Sequence, residues 1–178
     1  MSDAELIARV IISDDHAAFG ELVARHQSAV RHFLRHLTRG DTALADDLAQ
    51  ETFVHGYRKM SDFHGHSLFS TWLLGIAHNH WRNARRLQRS VPLEPEHMCR
   101  LETVPASTPL SDLKADITQA MSALTTDEQA VFHLHYQQGF SHPEIATVLA
   151  CPLGTVKTHL NRGREKLRPL LASWNHQT

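Results

Sequence analysis

The stretch VPLEPEHMCRLETVPASTPLS, residues 91–111, carries Pro92, Pro95, Pro105 and Pro109 and divides a chain whose pattern is otherwise helical. Proline fixes φ, lacks the amide proton that a helix or a ladder needs, and pushes the residue before it toward extended backbone. No sustained helix or strand fits that spacing, so an extended tether is expected. On either side apolar residues recur at three and four, and nowhere do they alternate with period two. The expected fold class is therefore all-α: two small helical domains, residues 1–90 and 112–178, joined by a flexible linker over 91–111.

In the first half, Phe19, Leu22, Val23, His26, Val30, Phe33, Leu34 and Leu37 follow the amphipathic spacing, and that helix is expected to end near Gly40. Asp41 is the expected N-cap of a second helix, with Ala45, Leu48, Ala49, Thr52, Phe53 and Gly56 on one face. At about 100° per residue, Asp46, Asp47, Gln50 and Glu51 fall on the opposite arc. A third helix, from about Ser70 to Arg89, carries Trp72, Leu73, Ile76 and Ala77. In this half Phe69 and Trp72 are expected to be core.

The second half is punctuated by caps. Ser111 can open a helix to Leu124. Thr125 and Glu128 in TTDE then form a capping box for a helix with Val131, Phe132 and Leu134, stopping at Gly139. Ser141 and Glu144 in SHPE repeat the device for a short helix through Ile145, Ala146, Val148 and Leu149. ACPLG leaves room only for a tight turn before GTVKTHLNRGREKLR. Two short helices across so short a turn make a helix-turn-helix. In its second helix Val156, Leu160, Gly163 and Leu167 form a narrow packing stripe, leaving Lys157, Thr158, Asn161, Arg162 and Arg164 outward. Such side chains neutralise phosphates or donate to guanine in a major groove.

A formal net charge of -1 hides a segregated distribution, and a polyanion is steered by the local field. Between His64 and Leu93 there is no acid, while Arg82, Arg85, Arg86 and Arg89 cluster there; residues 41–51 carry Asp41, Asp46, Asp47 and Glu51 with no base. With 178 residues, 42% of them hydrophobic, the chain can bury an ordinary core. No apolar run has the roughly 18 residues that would span a bilayer, and MSDAELIARV lacks the features of a signal peptide, so a cytoplasmic location is expected. Cys99 and Cys151 are too far apart for a CxxC pair and read as reduced thiols.

Taken together, FGELVARHQSAV, ADDLAQETFVHGYR, FHGHSLFSTWLLGIAHNHWRNARR and ALTTDEQAVFHLHYQQGFSHPEIATVLACPLGTVKTHLNRGREKLR resemble the extracytoplasmic-function sigma factors of the sigma-70 family, in the family's order and over nearly all of both domains. The resemblance implies a bacterial transcription-initiation factor with sigma region 2 up to about residue 90 and region 4 from about 112. It implies that Asp46, Asp47, Gln50 and Glu51 dock on the beta-prime clamp helices of core RNA polymerase. It further implies that His64, Gly65, His66 and Ser67 form a loop that captures a flipped base of the minus 10 element. Asn79, Arg82, Asn83, Arg85 and Arg86 would then hold the unpaired strand, for which cations and stacking surfaces are suited. Thr155, Lys157, Thr158, Asn161, Arg162 and Arg164 would read the minus 35 element, with region 4 on the beta flap. Promoter DNA, core polymerase and a cognate anti-sigma factor, often anchored in the inner membrane, are the implied partners.

Departures from the family pattern also matter. His64 and His66 stand where an arginine and an acid are more frequent, and Asn83 where aspartate often stands, so base preference is not inherited. His159 replaces a frequent arginine. Gly163 replaces a frequent alanine, at roughly 1 kcal/mol in a helix interior, which suggests a less rigid helix.

The fifteen histidines raise the question of a metal. His32 and His36 have chelating i, i+4 spacing, but no HExxH, paired cysteines or nearby carboxylate completes a set, so neither a metal nor any other cofactor is expected. A histidine-linked pH response is left open. The rival reading is a helix-turn-helix regulator that acts without being a polymerase subunit; it leaves ADDLAQE and FSTWLLGIAHN unexplained. Without a Gly-rich phosphate loop, a nucleophile motif or a catalytic carboxylate pair, no enzyme and no small-molecule substrate are expected.

Overall fold

A computed structural model describes residues 1–90 and 120–172, and among these there is helix and turn but no strand. The whole of the expected linker, 91–111, and the Ser111–Leu124 helix apart from its last turn lie outside the described residues.

The first helix, α1 (Asp3–Ser13), is one that sequence reasoning missed. Its signal was present: Ser2 and Glu5 form a capping box, the Ser2 amide donating to Glu5 Oε2 at 2.7 Å and the Glu5 amide to Ser2 Oγ at 3.3 Å. Leu6, Ile7 and Val10 are its buried stripe. Asp15 then caps α2 (His16–Leu37) by accepting from the Ala18 amide at 3.0 Å. Arg39 and Gly40, at φ 55° and 90°, reverse the chain, and only glycine takes the second of these without strain. Asp41 caps α3 (Thr42–Arg58) through the Leu44 amide, as expected. A 3₁₀ turn, Met60–Asp62, and an exposed loop lead to α4 (Phe69–Ser90).

Phe33, Leu6, Leu22, Leu34 and Leu73 are wholly buried where these helices converge. Ala45, Leu48, Ala49, Thr52 and Gly56 are buried on α3, as the expected face requires, with Phe53 half-buried. Phe69 is buried and makes an aromatic cluster with Phe63 and the half-buried Trp72.

In the second half Thr125 and Glu128 cap α5 (Thr126–Phe132) with the expected reciprocal bonds. The chain does not simply stop at Gly139. It widens first into a π turn, His133–Gln137, that buries His133 and Leu134 and leaves Tyr136 exposed. In α6 (His142–Leu149) the Glu144 carboxylate accepts from the Ser141 amide at 2.8 Å and from its hydroxyl at 2.6 Å. Ala150, left-handed at φ 48°, makes the turn into α7 (Leu153–Ala172).

The two halves pack on one another, α4 against α6 and α2 against α5 and the π turn, so their apolar side chains form one continuous core. The closed arrangement was not legible in the sequence.

Candidate nucleic-acid and polymerase interfaces

The acidic arc of α3 divides on inspection. Asp47, Gln50 and Glu51 are exposed. Asp46 is half-buried and turned toward α2, its carboxylate 3.4 Å from Arg31 Nε and 3.9 Å from an Arg35 guanidinium nitrogen. Glu51 lies 3.3 Å from His80 Nδ1, and His80 Nε2 meets His55 Nδ1 at 3.2 Å. Burial lowers the His80 pKa despite Glu51 beside it.

The loop before α4 sets out His64, Gly65 and His66 in solvent, with Ser67 half-buried and its hydroxyl donating to the Leu68 carbonyl at 3.3 Å. Gly65 turns it at φ 71°, a conformation costly for any residue with a Cβ. The imidazoles of His64 and His66 are 6.1 Å apart. Along α4, Asn79, Arg82, Asn83 and Arg86 are exposed, and Arg85 is half-buried with its guanidinium 5.3 Å from the Trp81 ring. That is cation–π distance. Trp81 is a residue that sequence reasoning passed over.

In α7 the expected stripe is buried: Val156, Leu160, Gly163 and Leu167. Lys157, Thr158, Asn161, Arg162 and Arg164 are exposed, while Thr155 is half-buried. Two of the helix's polar groups already have partners, Thr158 bonding to the Gly154 carbonyl at 2.8 Å and Arg164 Nε to the Tyr136 hydroxyl at 3.0 Å. Lys166 is structural, with its Nζ 2.7 Å from Glu128 Oε2. Burial alone would raise the Glu128 carboxyl, yet Lys166 and the Thr125 amide hold it below the usual range.

Gly163 does not mark a slack helix. The Phe132 ring lies against it, so close that a Cβ there would overlap Cε2 and come within 2.9 Å of Cζ. The residue that costs helix propensity is the one that lets α7 seat on α5.

The structure also brings the two basic helices together. Arg82, Arg85, Arg86, His78 and Trp81 of α4 line a cleft of about 580 Å³ with Asp127, the Leu149–Cys151 turn, Thr155 and His159 opposite. Among the described residues no group of three or more His, Cys, Asp or Glu side chains could hold a metal ion, and none of the helices is long and apolar enough to cross a membrane.

Known proteins give this geometry a context. Residues 22–91 match the family model for sigma-70 region 2, and residues 114–167 that for sigma-70 region 4. The chain is 30% identical to the ECF RNA polymerase sigma-E factor of Haemophilus influenzae, over 96% of this chain and 98% of that one. It is 32% identical to the RNA polymerase sigma-H factor of Pseudomonas aeruginosa, over 95% of each. Among solved structures it is similar to CnrH in complex with the cytosolic domain of CnrY, at a TM-score of 0.68 and 28% identity over 96% of this chain and 97% of that one. It is also similar to the sigma factor RpoE in complex with the anti-sigma factor NepR from Bartonella quintana, at 0.65 and 26% over 86% and 96%. Two regions matched in order, each carrying the basic helix described above, and near-complete coverage of both relatives leave one assignment: the chain belongs to the sigma-70 family and is an extracytoplasmic-function sigma factor, a subunit that directs RNA polymerase to promoters.

Proposed function

We propose that three surfaces divide this work. Asp47, Gln50 and Glu51, with Asp46 set back against α2, dock on the beta-prime clamp helices of core polymerase. His64, Gly65, His66 and Ser67, followed by Asn79, Arg82, Asn83, Arg85 and Arg86, capture the unpaired minus 10 strand. Thr155, Lys157, Thr158, Asn161, Arg162 and Arg164 meet the minus 35 duplex while region 4 rests on the beta flap. Residues 1–90 and 112–178 are the two working domains and 91–111 the tether that lets them span a promoter.

The protein acts in the cytoplasm, has no catalytic step of its own, and is held in check by an anti-sigma factor. The observation that carries the strand-capture role is the acid-free stretch from His64 to Leu93, with Arg82 and Arg86 exposed on α4. An unpaired backbone needs cations, and α4 supplies them on an exposed face with no acid of its own to repel phosphates. Control by an anti-sigma factor is supported by RpoE, which was solved with such a partner.

The docking surface gives the sharpest test because it can be reversed without touching the core. Asp47→Lys with Glu51→Lys is expected to abolish co-elution with core polymerase while helicity and melting stay at wild-type levels. Undiminished co-elution would remove the assignment.

A further inference from the structure

Histidines pack the seam between the two halves. His133 of the π turn is 1% exposed, and its ring centroid lies 4.3 Å from that of His36 and 5.9 Å from that of Phe33, both on α2. His78 on α4 is 5% exposed, stacks on Trp81 at 5.6 Å and lines the cleft between the halves. In both buried rings Nδ1 has no hydrogen-bond partner. A neutral imidazole tolerates one unpaired nitrogen; an imidazolium carries a charge and two donors, and burying it unpaired costs far more.

The neighbours do little to relieve such a charge. His133 faces His36 and His32 from α2, which would repel it, and Gln137 from its own turn, which favours it. His36 has the same surroundings in reverse, with His32 and Gln137 beside it. His78 faces Arg82 on its own helix and Asp127 from α5, the one carboxylate among the residues lining the cleft. Arg85, Arg86, Cys151, Thr155 and His159 complete that lining. Burial dominates, pushing His78 and His133 each down to about 4 and lowering His36 as well.

We propose that the seam is a proton-operated latch: neutral His78 and His133 hold the two halves closed, and protonating them separates the halves and opens the cleft in which Arg85 of α4 and Thr155 of α7 are half-buried. These histidines bind protons more weakly when closed, so acid favours the open form. An exposed histidine titrates near 6.5. The closed form is thus fully favoured above that value and loses ground as pH falls from 6.5 toward 4. At pH 5.5 each of His78 and His133 multiplies the opening constant about tenfold, roughly a hundredfold together. The latch stands on the geometry of the seam, and its consequence for transcription rests on the sigma-factor reading.

The test is small-angle scattering of the full chain, without polymerase or DNA, from pH 7.5 to 5.0, with far-UV circular dichroism on the same samples. The radius of gyration is expected to rise below pH 6.5 with helicity unchanged. His78→Leu with His133→Phe, which keeps the seam apolar and removes the protons, is expected to stay compact throughout. Should that variant not fold, His78→Gln with His133→Gln serves, and it must lose the pH response. A constant radius in the wild type, an equal response in the variants, or expansion accompanied by loss of helicity would each overturn the latch. Expansion as expected, with no gain in binding to a single-stranded minus 10 oligonucleotide, keeps the latch and counts against the functional reading instead.

Discussion

Helices α4 and α7 are both basic in sequence, yet the fold treats their cations differently. On α4, Arg85 lies over Trp81, and Arg82, Arg85 and Arg86 line a cleft against the other half of the chain. On α7 the charges are shared out: Lys166 goes to the buried Glu128, Arg164 to Tyr136, and Lys157 and Arg162 to solvent beside a narrow buried stripe. Cations crowded along one helix face, in a segment without acids, suit a flexible single strand, whose phosphates can follow them wherever it bends. A regular row of side chains on a well-seated helix suits the fixed geometry of a groove. The proposed assignment of the two helices to two states of DNA turns on that difference.

The largest effect expected from that contrast is on melting. Arg82→Ala with Arg86→Ala should leave association with core polymerase intact and stop open-complex formation on double-stranded promoters. A template with a pre-melted minus 10 bubble should partly restore transcription, since unpairing has been accomplished beforehand. Permanganate reactivity of unpaired thymines reads the difference directly. Wild-type melting by the double variant would erase the distinction between the two helices.

A smaller effect is expected in α7, and its form separates base readout from phosphate binding. Truncating Lys157 or Arg162 should weaken binding to a minus 35 duplex by about 1 to 3 kcal/mol, with specificity relaxed at the position the side chain touches. A phosphate contact would instead lower affinity uniformly and reduce the salt slope. Arg164, already bonded to Tyr136, is expected to contribute less, and Lys166→Ala should act on stability rather than on DNA affinity. Full affinity in both the Lys157 and the Arg162 variant would place the duplex elsewhere.

What the sequence made legible was whatever is local. Caps at Asp41, Thr125 and Ser141 and the stripe from Val156 to Leu167 depend on residues within one or two turns, and each is where the spacing put it. Helix α1 was equally local, and its Ser2–Glu5 box shows it was readable. The π turn was not, because HLHYQ holds nothing that distinguishes five residues per bonded loop from four. Nor was the seam: the pairing of His36 with His133, or of the α4 arginines with the α6–α7 turn, joins positions far apart in the chain. Of the acidic arc, only Asp46 departs from a plain outward position, because Arg31 and Arg35 on a different helix draw it in.

Gly163 offers the finest test, because local and tertiary physics predict opposite signs there. On helix propensity alone Gly163→Ala should stabilise region 4 by about 1 kcal/mol. Its new Cβ, however, would press on a Phe132 ring that is itself buried and packed against Tyr136 at 5.3 Å. Forcing a methyl into such a contact costs about 1 to 3 kcal/mol, so a net loss of roughly 1 kcal/mol is expected in urea unfolding. Trimming the obstruction should reveal the hidden gain: in a Phe132→Leu background, where the ring edge is gone, Gly163→Ala should become neutral or stabilising. The coupling between the two substitutions is the quantity of interest, since it cancels whatever each does alone. If Gly163→Ala stabilises the wild-type chain by the full propensity difference, Phe132 does not seat on this glycine and α7 is a slack helix after all.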